Sequence, residues 1–261
     1  EVYSVSQKKI LKLMAKFDGI FNIEGTLKGM TFYKSKDGHM VRTKGGVSKE
    51  RIAKDPAFER TRENGSEFAH CAKMAQLFRN SVSDKVELAK DHRTSSRLNQ
   101  VMHAIKALDS TSARGERNVP TGIQHPDGPK QLQGFEFNSN GQITQIFTQL
   151  QALDVQNGTL NHQGFIPNKH LSYPEGAQEA DLQLIAVQVD FSEGTYTMTE
   201  SAKTTLAKGP DPVDLSLQVS QVPGGTVPVF YLLLAEFYQV MNGIRYPLKN
   251  KQYNALGVIG F

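Results

Sequence analysis

The residues able to do acid–base, metal or nucleophilic chemistry are few and scattered. There are seven histidines, His39, His70, His92, His103, His125, His162 and His170, and one cysteine, Cys71. No two histidines stand at the spacing of a helical zinc pair, and one cysteine cannot build a thiolate cluster. His70 directly precedes Cys71. Neighbours on a helix point about 100° apart, so the two are not expected to act as base and nucleophile. Cys71 reads as a small buried apolar residue on a helix. No Gly-x-Ser-x-Gly elbow, phosphate-cradling loop or dinucleotide fingerprint occurs. Asp211 and Asp214 in "GPDPVD" come nearest to a calcium loop, but the other oxygen ligands are not evident. The stretch reads as a proline-stiffened acidic loop. Glu236 falls on the strand face of Leu232 and Leu234 and is expected to be half-exposed. No catalytic residue, metal site or cofactor is expected, and the chain is not read as an enzyme.

Charge is more informative. Residues 1–118 hold 23 Lys and Arg against 14 Asp and Glu, and residues 119–261 hold 7 against 12. A basic half precedes an acidic half. The basic residues concentrate around "FYKSKDGHMVRTKGGVSKERIAK". Lys34, Lys36, Arg42, Lys44 and Arg51 are the candidate docking residues, expected to meet an acidic surface on the β domain of another copy. The leading reading is therefore a non-enzymatic structural or assembly protein, a homo-oligomer or the partner of another protein. The same cluster, with Lys28, Lys49, Lys54, Phe32 and Tyr33, also fits phosphates and stacked bases, so nucleic acid is the alternative partner. A surface- or carbohydrate-binding sandwich is a third reading, resting on fold analogy.

These residues need elements to hold them. Residues 20–44 read as a three-stranded meander with a turn at Asp37-Gly38, ended by Gly45-Gly46. Asp55 before Pro56 marks a helix start. Phe58, Phe68, Cys71, Ala72, Ala75 and Phe78 then fall on one helical face, interrupted by Gly65. In "TSSRLNQVMHAIKALDS", Leu98, Val101, Met102, Ile105 and Leu108 form the stripe of a second helix, with Ser95 or Ser96 as its cap. From Phe135 onward the pattern is β. Strands are expected at 134–137, 142–147, 159–165, 181–191, 195–199, 215–219, 227–241, 244–248 and 255–261, and Asn242-Gly243 suits a two-residue type I′ hairpin turn. The fold class is α+β: a small N-terminal β-meander with antiparallel helices, then an antiparallel immunoglobulin-like β-sandwich. The expected divisions are an extension at 1–13, a basic module at 14–112, a linker at 113–131 and an acidic sandwich at 132–261.

No apolar run is long enough to span a membrane as a helix; the longest, "VFYLLLA", is strand-sized. "EVYSVSQKKILKLMAK" is broken by Lys8, Lys9 and Lys12, so no signal peptide is read. Synthesis in the cytoplasm is expected, with later assembly outside the cell left open. Met14 in "MAK" reads as the natural start.

Two stretches carry a resemblance. "GTLKGMTFYKSKDG", followed by "GGVSKERI" and "DPAFERTRENGSEF", is similar to the N-terminal part of an uncharacterised family common in Bacteroidota, and "EFYQVMNGIRYPLKNKQYNAL" to its C-terminal end. The resemblance implies a bacterial origin and a family start at Met14. It implies no activity and no site residue.

Overall fold

The computed structural model describes residues 14–16, 23–35, 38–43, 46–150 and 152–261. The chain divides into two compact units, Glu1–Thr61 and Arg62–Phe261.

The first unit is built on a four-stranded antiparallel sheet of β1 (Met14–Lys16), β2 (Gly25–Leu27), β3 (Met30–Ser35) and β4 (Gly38–Thr43). Its strand order is β1-β4-β3-β2, so the expected meander is present with β1 added on its edge. Lys28 (φ 44°) and Gly29 (φ 82°) make the first turn in the left-handed region. A short charged helix follows, α1 (Lys49–Lys54), ahead of the helix start expected at Asp55-Pro56. Its cap is Ser48, whose hydroxyl accepts the Arg51 N–H at 3.2 Å. Asp55 caps the next turn, Pro56–Phe58, by accepting the Ala57 N–H at 3.0 Å.

The second unit has two layers of sheet and one of helices. The central six-stranded sheet comprises β7 (Glu179–Asp190), β8 (Thr195–Glu200), β9 (Thr204–Ala207), β11 (Val229–Met241), β12 (Ile244–Pro247) and β13 (Ala255–Gly260). β7 and β11 pair at its centre; β8 and β9 flank β7, while β12 and β13 flank β11. One face carries Ile185, Val187, Val189, Phe230, Leu232 and Leu234, which share a core with Cys71, Met74 and Phe78 of α2 (Glu59–Asn80), Val86 of α3 (Ser83–Val86) and Leu98, Met102 and Ile105 of α4 (Thr94–Ala107). The other face carries Leu182, Leu184, Leu233 and Phe237, packed on Leu160 and Phe165 of β6 (Thr159–Phe165) and Leu215 and Leu217 of β10 (Val213–Gln218). Those two strands, with β5 (Leu153–Asp154), form the second, three-stranded sheet. The fold is α+β, with a sandwich-like region where the two sheets face each other. Because both faces of the central sheet are buried, β7 and β11 are apolar almost throughout instead of alternating.

Several expected elements differ. The stretch 142–147 is not a strand; Ile143–Ile146 forms a single helical turn, α6, with Ile143 and Ile146 buried. Four residues are too few for either periodicity to show. Residues 134–137 make only a lone bridge, Glu136 to Gly257, although Gly134 and Phe137 donate to Val258 and Leu256 on β13. Ser95 and Ser96 lie inside α4, whose N-cap is Arg93; the Asp91 carboxylate accepts the Arg93 N–H at 2.6 Å. Phe68 is 55% exposed, resting on His103, while the buried stripe of α2 runs through Cys71, Met74, Ala75 and Phe78. Within the segment read as a linker, Val119 and Ile123 join the helical core, and Val119–Gly122 forms a short helical turn, α5.

At the end of the long β11–β12 hairpin, Asn242 (φ 52°) and Gly243 (φ 77°) close the type I′ turn below the Met241–Ile244 pair. No atom would touch a Cβ at Gly243, so its role is purely conformational. Gly243→Val is expected to lower stability by about 1–3 kcal/mol in a melting experiment, and Gly243→Asn, which tolerates positive φ, by much less. Equal losses would place the cost elsewhere than in the backbone.

Candidate functional site: the basic sheet

Ladder register decides which candidate docking residues act together. Lys34 pairs with His39, Phe32 with Val41 and Met30 with Thr43. Tyr33 pairs with Met40 and Thr31 with Arg42. Directly opposed residues share a face and successive residues alternate. One face therefore holds Met30, Phe32, Lys34, His39 and Val41, and also Leu27, which pairs with Met30. The other holds Thr31, Tyr33, Met40 and Arg42. Lys34 and Arg42 stand on opposite faces. Arg42 lies over the Tyr33 ring at 5.4 Å. Arg51 stands apart on α1, its Nε donating to Asp55 at 3.0 Å and its guanidinium 5.7 Å from the Phe58 ring. Lys36 and Lys44 lie outside the described residues.

The Lys34 face is half-buried at Phe32, His39 and Val41 and exposed towards the Leu27–Met30 end. Leu27 is 59% exposed and Met30 42%, and no described side chain of the first unit is buried. Three or four short strands need a covered apolar face for independent stability. Residues 1–61 hold 13 Lys and Arg against 7 Asp and Glu; residues 62–261 hold 17 against 19.

His70, Cys71, Glu236 and Asp214 are tied into the second unit's own structure. His70 Nε2 accepts the Val119 N–H at 3.0 Å. Burial pushes the Cys71 thiol up to about 11, far from a reactive thiolate. Glu236 is not half-exposed but buried, accepting from Lys203 at 2.5 Å and from the Tyr238 hydroxyl at 3.2 Å. The neighbouring Asp181, opposite it on β7, accepts from Thr205 at 2.7 Å and Arg245 at 2.6 Å. Burial, then Glu236 and Asp181, push the Tyr238 hydroxyl up to about 12, so it remains a donor. Asp214 accepts the Gly164 N–H at 2.9 Å. Among the described residues, no group of three or more His, Cys, Asp or Glu stands together as a metal cage, and no helix is long and apolar enough to cross a membrane.

Two polar clusters are invisible to spacing. Glu67 on α2 meets Lys106 on α4 and Arg117. Arg97 on α4 joins Asp91 to the carbonyls of Glu136 and Phe137. Their members lie up to 50 residues apart, and each is an ordinary surface residue type.

The fold and this geometry define an α+β protein with a basic, partly apolar sheet at its N-terminal end. In comparisons with family models, curated proteins and solved structures, nothing matches the chain.

Proposed function

We propose that the protein is a non-enzymatic assembly protein whose basic N-terminal sheet docks on the acidic β region of another copy. The supporting observation is the Lys34 face: Leu27 and Met30 are exposed beside half-buried Phe32 and Val41, with Lys34 at its rim. Apolar area removed from water supplies affinity, at about 25 cal/mol per Å² before the costs of association. The opposite charge balances of residues 1–118 and 119–261 supply encounter rate and specificity. Isolated exposed ion pairs contribute only about 0–1 kcal/mol each, so the charges act as a set.

Register sharpens the test. A flat contact engages one face of a sheet, so Lys34→Glu and Arg42→Glu belong to different faces. Lys34→Glu is expected to weaken self-association at low salt by tenfold or more when combined with Leu27→Ser, with an unchanged melting curve. Arg42→Glu alone is expected to leave association within about threefold of the wild type, as for a charge outside the contact. Equal loss from Arg42→Glu would move the contact to the Tyr33 face. A protein that instead shifts duplex or single-stranded nucleic acid with a steep salt slope would assign the same basic cluster to phosphates and overturn the docking reading.

A further inference from the structure

The β11–β12 hairpin runs out past the strands beside it. β7 pairs with β11 only as far as Tyr238, opposite Glu179, and β13 only as far as Ala235. Beyond Tyr238 the ladder is β11 with β12 alone: Gln239 pairs with Tyr246, Val240 with Arg245 and Met241 with Ile244. Gln178 steadies the base of this ribbon, its Oε1 accepting the Val240 N–H at 2.6 Å. A bare two-stranded ribbon is marginal in water, and this one is also apolar on one side.

The two sides differ because opposed residues share a face and successive residues alternate. Tyr238, Val240 and Arg245 stand on one face, where Arg245 is neutralised by Glu179 at 2.7 Å and Asp181 at 2.6 Å. Gln239, Met241, Ile244 and Tyr246 stand on the other. Met241 is 55% exposed, Ile244 56% and Tyr246 48%. Phe237, further back on the same face, is buried against the three-stranded sheet, so the apolar surface continues past the layer that covers it.

Cations surround the base of that face. Lys208 donates its N–H to the Gln178 carbonyl at 2.8 Å, and its ammonium lies 5.8 Å from the Tyr173 ring, which packs edge-on against Phe237. Lys249 and Lys251 follow β12 directly, both at positive φ, 42° and 68°, a region lysine seldom visits. None of these three lysines belongs to an ion pair among the described residues. The adjoining loop, whose Gly176 lies against Leu248, adds one exposed acid, Glu175. The surround is therefore positive.

We propose that this ribbon is a contact site for the surface of an anionic phospholipid bilayer. Met241 and Ile244 enter the boundary between headgroups and acyl chains, and the lysines rest among the phosphates. Tyr246 stands roughly 7 Å behind Ile244 along the strand, at the depth where an apolar ring with a wet hydroxyl is most at home. Area and shape favour lipid over protein. Three half-exposed side chains offer about 100 Å² each, far short of the roughly 800 Å² per partner of a stable protein interface. A fluid surface closes round a protruding tip without needing a matching cleft. This surface is independent of the docking sheet.

The basic first unit also attracts anionic lipid, so the test must report from the ribbon itself. The chain has no tryptophan, which makes Tyr246→Trp a sole reporter in the full-length protein. Its fluorescence is read on adding vesicles of phosphatidylcholine containing phosphatidylglycerol, with pure phosphatidylcholine as control. Expected are a blue shift with the anionic vesicles, quenching by brominated acyl chains, and a much smaller response to the neutral vesicles. In that background Lys249→Gln is expected to weaken partitioning about fivefold, the effect of one lysine near an anionic surface. Met241→Ser combined with Ile244→Ser is expected to weaken it at least tenfold with an unchanged melting curve. Tyr196→Trp, exposed on β8 at the opposite end of the β7 ladder, is expected to stay unshifted and unquenched. No shift or quenching in Tyr246→Trp would overturn the proposal. So would equal quenching in Tyr196→Trp, which would mean adsorption through another surface. A blue shift without vesicles that grows with protein concentration would assign the ribbon to a second copy instead.

Discussion

Ile105→Asp is expected to unfold the second unit at room temperature. Ile105 is fully buried on α4. Its backbone lies against the α5 turn so closely that a Cβ on Gly122 would stand 2.1 Å from the Ile105 carbonyl oxygen. The neighbourhood therefore has no slack to admit water. Deleting a buried aliphatic side chain costs about 2–5 kcal/mol through lost transfer energy and cavity formation. A carboxylate placed there adds desolvation without a partner, which it escapes only by taking up a proton, at further cost. The sum approaches the whole stability of an ordinary domain, about 5–15 kcal/mol. Loss of the near-ultraviolet circular dichroism signal and of a cooperative melt is the expected reading. Ile105→Val, which removes one methylene, is expected to cost only about 0.5–1.5 kcal/mol. A cooperative melt for Ile105→Asp near that of the wild type would show that α4 does not pack as described.

Glu67→Ala is expected to cost about 3–5 kcal/mol, because it strands a buried cation. The Glu67 carboxylate is 3% exposed. It accepts from Lys106 at 2.5 Å, from Arg117 at 2.9 and 3.1 Å, and from the Gly115 N–H at 3.0 Å. Hydrogen bonds from Arg117, and then from Lys106 and Gly115, hold its pKa down at about 2 against the opposing effect of burial. The unfolded chain has no such partners and binds the proton nearer the ordinary value of about 4.3. The stabilisation is thus fully present above that value and is lost as pH falls through about 2. In Glu67→Gln the side chain cannot ionise. The stability gap between wild type and Glu67→Gln is expected to be largest near neutrality and to shrink steadily on acidification between those limits. A gap independent of pH would mean that shape, not charge, is what the site uses. The same carboxylate pins residues 115–117 to α2, which explains why a stretch rich in Gly, Pro and charge is held in place there.

Much of this architecture is legible in the sequence, and the exceptions have physical causes. The stripe of Leu98, Met102 and Ile105 marks α4 because fourteen residues are enough for a 3.6 period to show. Asn242-Gly243 marks its hairpin because few residue pairs tolerate two positive φ angles in succession. The turn at Ile143–Ile146 and the strands Leu153–Asp154 and Thr204–Ala207 are too short to carry a period. Glu236 looks like a surface residue on an alternating strand, yet Lys203 and Tyr238 complete its hydrogen bonds and allow burial.

The site residues show the same division. The basic cluster is plain from composition, but its partition is not. Ser35 pairs with Gly38, and in that register an even-numbered position of β3 shares its face with odd-numbered ones of β4. Lys34 and Arg42, which look like neighbours in a list of cations, are thereby separated by the thickness of the sheet. Met241, Ile244 and Tyr246 are ordinary residue types for a strand, and only the ladder, in which β7 stops at Glu179, leaves them uncovered.

The central claim is that copies of this chain meet through basic and acidic surfaces. Sedimentation velocity of the purified protein across a salt series tests it most directly, because screening shortens the reach of exposed charges to roughly 8–10 Å near physiological ionic strength. The docking account predicts concentration-dependent oligomers at low salt that dissociate as salt rises, with the transition moved to lower salt by Lys34→Glu combined with Leu27→Ser. A protein that remains monomeric at low salt and high concentration would contradict it.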